Sequence, residues 1–216
     1  MKIRFVGRGR LVDMQDVCEE NEEDLILFGF GGLGEVSYDK ELKGESDFFE
    51  CAARLSKRTK SVVVCGCVTD TRGIKRKSAL VAESGRLCGV SDMTHAVDGN
   101  VTCGAGLRVY ETKIGKMGVA VAEDIRFPEV ISSLAACGSD FIVCPFGGVK
   151  DTIPQILMRA FAYLYGVPIF LCGVGYCAAV GADGNILFAS PQSPVSFLFE
   201  NRKEYHLVET RRRGVY

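Results

Sequence analysis

Two adjacent carboxylates, Glu123 and Asp124, follow a short apolar run, Gly118-Val-Ala-Val-Ala122, and precede the turn Arg126-Phe-Pro128-Glu129. Paired carboxylates of this kind can carry general acid/base work. Thiols supply the other candidate chemistry. Cys144 and Cys172 end the apolar runs Phe141-Ile-Val-Cys144 and Ile169-Phe-Leu-Cys172, and Cys103 lies in a Gly-rich loop after His95. A thiol becomes nucleophilic where a cation or histidine lowers its pKa. His95 is a candidate base because an imidazole titrates near neutrality, and Glu35, beyond the turn Gly31-Gly-Leu-Gly34, is a second candidate base. Each has a plainer reading: buried thiols behaving as small hydrophobes, a structural carboxylate at Asp124, a hydrogen-bonding His95 and an exposed loop Glu35. The position best placed for chemistry is the end of the apolar run, at the rim of a sheet. There the chain carries only the methyl of Ala122, which cannot attack anything.

The elements that would position these groups alternate along the chain. Lys2–Val6, Leu25–Phe30, Val62–Val68, Gly118–Ala122, Phe141–Pro145 and Pro168–Cys172 read as buried strands of small, branched and aromatic residues. Ser46–Lys60 and Thr152–Tyr165 read as helices, and a third opens near Pro128 and Glu129, where Pro suits the first turn and Glu complements the dipole. Gly138 is a plausible cap for it. Lys77–Glu83 with Leu87–Ser91 forms a hairpin about Ser84-Gly-Arg86, and Cys177–Gly181 with Ile186–Ser190 forms another about Asp183-Gly-Asn185. Helices mixed with hairpins imply an α/β protein with a partly antiparallel sheet.

The segment 118–129 resembles the cysteine motif of the nitrilase superfamily, the carbon–nitrogen hydrolases. In that motif a strand G-V-x-I-C-Y-D runs into R-F-P-E, and Ala122 takes the cysteine's place while Asp124, Arg126, Phe127, Pro128 and Glu129 match. Val109–Gly118 looks like the family's preceding hairpin. The resemblance implies a four-layer αββα sandwich, formed by residues 1–216 as a single domain, that associates through its helical layer as a homodimer or higher homo-oligomer. It also implies a catalytic glutamate, lysine and cysteine. The glutamate belongs to a motif like L-I-V-F-P-E, where this chain reads Leu25-Ile-Leu-Phe-Gly-Phe30, so Phe30 stands in its place. The lysine belongs to a motif like R-K-x-H-L; here Met93 stands in its place, with Thr94 and His95 in register. In the helix 152–165 the family's R-A-R-A-x-E-N survives only as Arg159-Ala160, followed by Phe161, Leu164 and Tyr165. Residues 7–24 leave space for a short helix where the family has a long one.

Composition narrows the rest. The chain has 216 residues, a charged fraction of 25% and a formal net charge of −1, which gives no electrostatic case for nucleic acid or an anionic membrane. The Arg211–Arg213 run reads as a solvated end. No signal-peptide core or membrane-length apolar run is present in the sequence, so a cytoplasmic protein is expected. Its ten cysteines are then expected to be reduced, and Cys65-Gly-Cys67 lacks zinc spacing. No metal or cofactor is implied. The expectation is a degenerate carbon–nitrogen hydrolase without amidase or nitrilase activity, retained to bind a small molecule or as an oligomeric partner, its own copy or an active enzyme. The alternative is an active hydrolase using Cys144 or Cys172 with Glu35.

Overall fold

Strands that are apolar on both faces must be covered on both sides, and the strands of this chain are of that kind. In chain order the computed structural model, which describes residues 1–14, 22–96 and 99–200, contains β1 (Lys2–Val6), a 3-10 turn (Leu11–Met14), β2 (Leu25–Phe28), β3 (Glu35–Ser37), α1 (Tyr38–Lys43) and α2 (Phe48–Thr59). There follow β4 (Val62–Thr71), β5 (Ile74–Glu83), β6 (Arg86–Asp92), β7 (Val109–Thr112), β8 (Gly115–Val119), a second 3-10 turn (Ala122–Arg126) and α3 (Pro128–Ala136). The chain then forms β9 (Phe141–Gly148), α4 (Ile153–Tyr165), β10 (Ile169–Val174), β11 (Tyr176–Val180), β12 (Ile186–Ser190) and β13 (Val195–Leu198).

The strands make two sheets. One has the order β13-β1-β2-β4-β5-β6 with β3 beside β4; the other runs β12-β11-β10-β9-β8-β7. Each has a parallel centre, β1-β2-β4 in the first and β8-β9-β10 in the second, flanked by antiparallel neighbours. The period-two alternation of side chains assigns the faces. Leu25, Leu27, Val62, Val64, Ala79 and Val81 meet Val119, Val143, Phe170 and Ala179 between the sheets. Ile26, Phe28, Val63, Cys65 and Leu80 pack outward on Ala52 and Leu55 of α2. Ile142, Cys144, Ile169 and Leu171 pack outward on Ile131, Leu134 and Met158 of α3 and α4. Three apolar interfaces therefore separate four layers, and the αββα sandwich is the architecture of the chain.

Local differences from the sequence reading have local causes. Val62–Val68 extends to Thr71 because β5 pairs with it out to Ile74. Leu25–Phe30 stops at Phe28, where Gly29 and Phe30 turn toward the other sheet. The segment read as strand to Ala122 ends at Val119, although Ala120 still donates its N–H to the Val143 carbonyl at 3.0 Å. β3, α1 and β13 carry too few periodic residues to stand out from the sequence. Of the short helix expected within 7–24, the 3-10 turn at Leu11–Met14 is seen; positions 15–21 lie outside the described residues, as does Arg211–Arg213. Among the described residues no helix is long and apolar enough to cross a membrane, and the nine cysteines are free thiols.

Candidate functional site

Ala122 sits where β8, after two further extended residues, turns abruptly into the 3-10 turn. Its φ is +49°, the left-handed region, while Val121 before it is extended at φ −93°. For an L-residue this conformation costs about 1–2 kcal/mol, and such strain collects at functional sites. It aims the Ala122 side chain, 2% exposed, into the space between the sheets. The elbow that would present a nucleophile is present. It presents a methyl.

The turn after the elbow is fixed by Asp124. Its carboxylate accepts the Thr94 N–H at 2.9 Å, the Thr94 hydroxyl at 3.0 Å and the His95 N–H at 3.1 Å, and lies 3.3 Å from His95 Nδ1. Burial pushes the Asp124 pKa up, and the hydrogen bonds from Thr94 and His95 oppose that shift. Asp124 thereby ties the loop after β6 to the elbow. The adjoining Met93 is held by its N–H on the Lys77 carbonyl, at 2.8 Å, and its side chain is wholly buried in the inter-sheet core. The His95 ring stacks on Phe127, centroids 4.1 Å apart, with Nε2 3.3 Å from Glu129. Phe127, Pro128 and Glu129 thus open α3 and clamp His95, and these are structural roles.

Phe30 closes the third side. It is half-buried against the inter-sheet core, and its N–H donates across the sandwich to the Phe146 carbonyl at 2.9 Å. Glycines make this approach possible. A β-carbon on Gly7 would meet the Gly173 carbonyl oxygen at 2.3 Å, and one on Gly66 would meet the Phe30 α-carbon at 2.5 Å. The sheets touch backbone to backbone at this seam, which any larger residue would hold apart.

Lys77 was not singled out in the sequence, yet it enters the site. On β5 it shares a face with Ala79 and Val81, which line the inter-sheet core. Its ammonium lies 2.9 Å from Glu123 and 5.9 Å from the centre of the Phe30 ring. An inward lysine in register with two apolar residues was the available signal. Phe30, Met93 and Ala122, the residues expected at the triad positions, are linked: Met93 through the Lys77 carbonyl, Phe30 through the Lys77 ammonium, and Ala122 through the neighbouring Glu123.

The other candidates stand apart from that group. Glu35 is exposed at the start of β3 and ion-paired with Lys75 at 2.8 Å, one inward repeat further along β5. Cys144 points to the helical layer, its thiol 3.6 Å from the Ala122 carbonyl oxygen, and Cys172 points between the sheets. Adjacent strands thus carry these two thiols on opposite faces of one sheet. Burial pushes both thiols well above the ordinary cysteine pKa, which removes the thiolate that a nucleophile requires. Cys103 is exposed and accepts the Ala96 N–H at 3.2 Å. Two open depressions lie away from this group: one of about 260 Å³ is lined by Met1, Ile114, Asp140, Phe141 and Phe199, and one of about 320 Å³ lies between α4 and the 183–184 turn. Among the described residues no group of His, Cys, Asp and Glu is placed to hold a metal.

This two-sheet αββα sandwich is of the nitrilase class of fold. The carbon-nitrogen hydrolase family model matches residues 26–197, and the chain belongs to that family. It is similar in structure to an amidase of the nitrilase superfamily from Nesterenkonia sp. AN1, solved as a cysteine-to-alanine mutant, with TM-score 0.77 and 17% identity over 91% of this chain and 88% of that one. It is similar also to Nit3 of Saccharomyces cerevisiae, a member of branch 10 of the superfamily, with TM-score 0.74 and 18% identity over 91% and 88%. A further structure of the Nesterenkonia amidase, again a cysteine-to-alanine mutant, holds butyramide, with TM-score 0.77 and 17% identity over the same shares. No curated protein matches the chain by sequence.

Proposed function

We propose that this chain is a non-hydrolytic member of the carbon–nitrogen hydrolase family that acts as an assembly partner, in the first instance of itself. The observation that carries the reading is the elbow at Ala122, strained as for a nucleophile but bearing a methyl, with Phe30 and Met93 at the other two reactive positions. A cysteine attacks the amide or nitrile carbon in the family reaction, a glutamate moves the proton and a lysine stabilises developing charge. Loss of a nucleophile or base from such a constellation costs about a million-fold in rate. Here all three are apolar, and the one lysine and one glutamate nearby neutralise each other.

Assembly is favoured by α4, which offers an exposed apolar face. Ile153, Ile156, Ala160, Tyr163 and Leu164 fall on its outer side at helical spacing, with Ile156 60% and Tyr163 53% exposed. Such a stripe is larger than isolated surface apolar residues require. Arg159 lies within this face and Asp183 borders it, so a two-fold contact across it can pair the arginine of one copy with the aspartate of the other. The reading is tested by two measurements. A panel of aliphatic amides and nitriles, monitored by turnover and by intact mass for a covalent adduct, is expected to give neither. Light scattering on the full chain is expected to give a dimer or larger. Turnover abolished by Cys144→Ser or Cys172→Ser would establish the relocated hydrolase instead.

A further inference from the structure

Two thiols face each other across one hairpin, away from the elbow. β10 and β11 are joined by the two-residue turn Val174-Gly175, with Gly175 at φ +81°. Gly173 and Tyr176 flank that turn, and Cys172 stands opposite Cys177 one step back. In such a hairpin the flanking pair exchanges hydrogen bonds, so the next pair is the non-bonded kind, with α-carbons about 4.5 Å apart and side chains closest. That separation is within the roughly 4.4–6.8 Å that a disulfide spans. The two sulfurs lie 3.8 Å apart, both side chains buried on the inter-sheet face.

We propose that Cys172 and Cys177 are a redox-modification site, a cross-strand dithiol that closes to an intramolecular disulfide on exposure to hydrogen peroxide. Cys177 is the attacking sulfur: the hydrogen bond from the Cys172 thiol holds its pKa below the ordinary cysteine value, whereas burial raises that of Cys172. The Cys177 thiolate attacks one peroxide oxygen, the O–O bond breaks, and the departing hydroxide takes up a proton as water. The Cys172 thiol then gives its proton to the sulfenic oxygen as its sulfur attacks, the S–O bond breaks as the S–S bond forms, and the second water leaves. Two thiols lose two electrons and two protons, and one peroxide becomes two waters. Entry is at the hairpin tip, where Val174 and Gly175 are exposed and a local opening uncovers Cys177.

The position of the pair gives the modification a consequence. A β-carbon on Gly7 would lie 3.2 Å from the Cys177 sulfur, and one on Gly29 would lie 3.5 Å from the Cys172 carbonyl oxygen. Drawing the sulfurs in to bonding distance, about 2.05 Å, therefore changes side-chain positions next to the seam.

The reduced full-length chain is treated with hydrogen peroxide, alkylated in denaturant and digested with chymotrypsin, whose cleavage after Tyr176 separates the two cysteines. The expected product is a pair of peptides joined through Cys172 and Cys177, two hydrogens lighter than the reduced pair and released by dithiothreitol. Full alkylation of both thiols after peroxide, Cys177 stopping at sulfinic acid, or either sulfur linked to a different cysteine would overturn the assignment. In Cys172→Ser, whose hydroxyl can still donate to Cys177 but cannot form a disulfide, the Cys177 sulfenic acid is expected to persist and be trapped by dimedone. Should that variant fail to fold, the wild-type peptide masses decide alone.

Discussion

The ammonium of Lys77 and the carboxylate of Glu123 meet at 2.9 Å beside the elbow, with side chains 17% and 24% exposed. Here the inward lysine of β5 and the carboxylate following Ala122 are spent on each other, with the Phe30 ring beneath the ammonium. The site combines a strained backbone at Ala122 with an ion pair and apolar packing.

That pair gives the first prediction. Lys77→Met leaves Glu123 without its cation in a partly shielded place, and Glu123→Gln does the converse. Each is expected to lower stability by about 1–2 kcal/mol, above the value of an exposed pair because both groups are mostly covered. The double substitution is expected to cost less than the sum of the two, as direct partners do. Urea denaturation of the four proteins measures it; strictly additive losses would show that the two charges do not interact.

The elbow gives the second. Ala122→Gly relieves about 1–2 kcal/mol of left-handed strain but loses one buried methyl, about 0.8 kcal/mol, and adds chain entropy of roughly 0.5–1 kcal/mol. The net change is expected near zero. Ala120→Gly, in the extended residues before the elbow, has no such relief and is expected to cost about 1.5 kcal/mol. A larger loss at 122 than at 120, read from thermal or urea melts, would contradict a strained backbone there.

Much of this was legible from residue order, and the exceptions share a physical reason. Local signals carried the hairpin turns, such as Asp183-Gly-Asn185 with Gly184 at φ +78°, and the start of α3 at Pro128. Continuous apolar runs in β2, β4, β9 and β10 carried the buried strands, and the run from Gly118 to Glu129 carried the family. What residue order could not carry was proximity. Lys77 enters the site only because β5 faces inward. Cys144 and Cys172, on neighbouring strands, turn to opposite faces because a one-residue offset in register reverses a side chain. Cys172 meets Cys177 only because the hairpin between them has two residues in its turn.

The third prediction concerns pH. Burial raises the Asp124 pKa above its unfolded value. A carboxyl shifted in that direction adds stability that is fully present below the unfolded pKa and is lost as pH rises through the folded one, because folding then has to hold the charged form. Asp124→Asn cannot titrate. The stability difference between wild type and Asp124→Asn is therefore expected to be most favourable to wild type at about pH 3 and to shrink as pH rises to about 7. Denaturation midpoints across that range test it. A difference growing with pH would mean that the hydrogen bonds of Thr94 and His95 outweigh burial.

The fourth prediction asks whether the family lysine could simply be put back. Met93 is wholly buried between the sheets, and its neighbours there are apolar: Val119, Val121 and Ala122. Met93→Leu conserves volume and chemistry and is expected to cost less than about 1.5 kcal/mol. Met93→Lys brings an ammonium into that space while Glu123 is already engaged by Lys77, and with Phe30 where the family has a carboxylate. Its loss is expected to exceed about 3 kcal/mol at neutral pH, as for an unpaired buried charge, and to lessen at high pH, where the amine is neutral and the desolvation penalty disappears. Adding Phe30→Glu supplies the missing counter-charge across the seam and should recover part of the loss. A Met93→Lys chain as stable as wild type, with no help from Phe30→Glu, would mean that water already fills the space the apolar groups are argued to occupy.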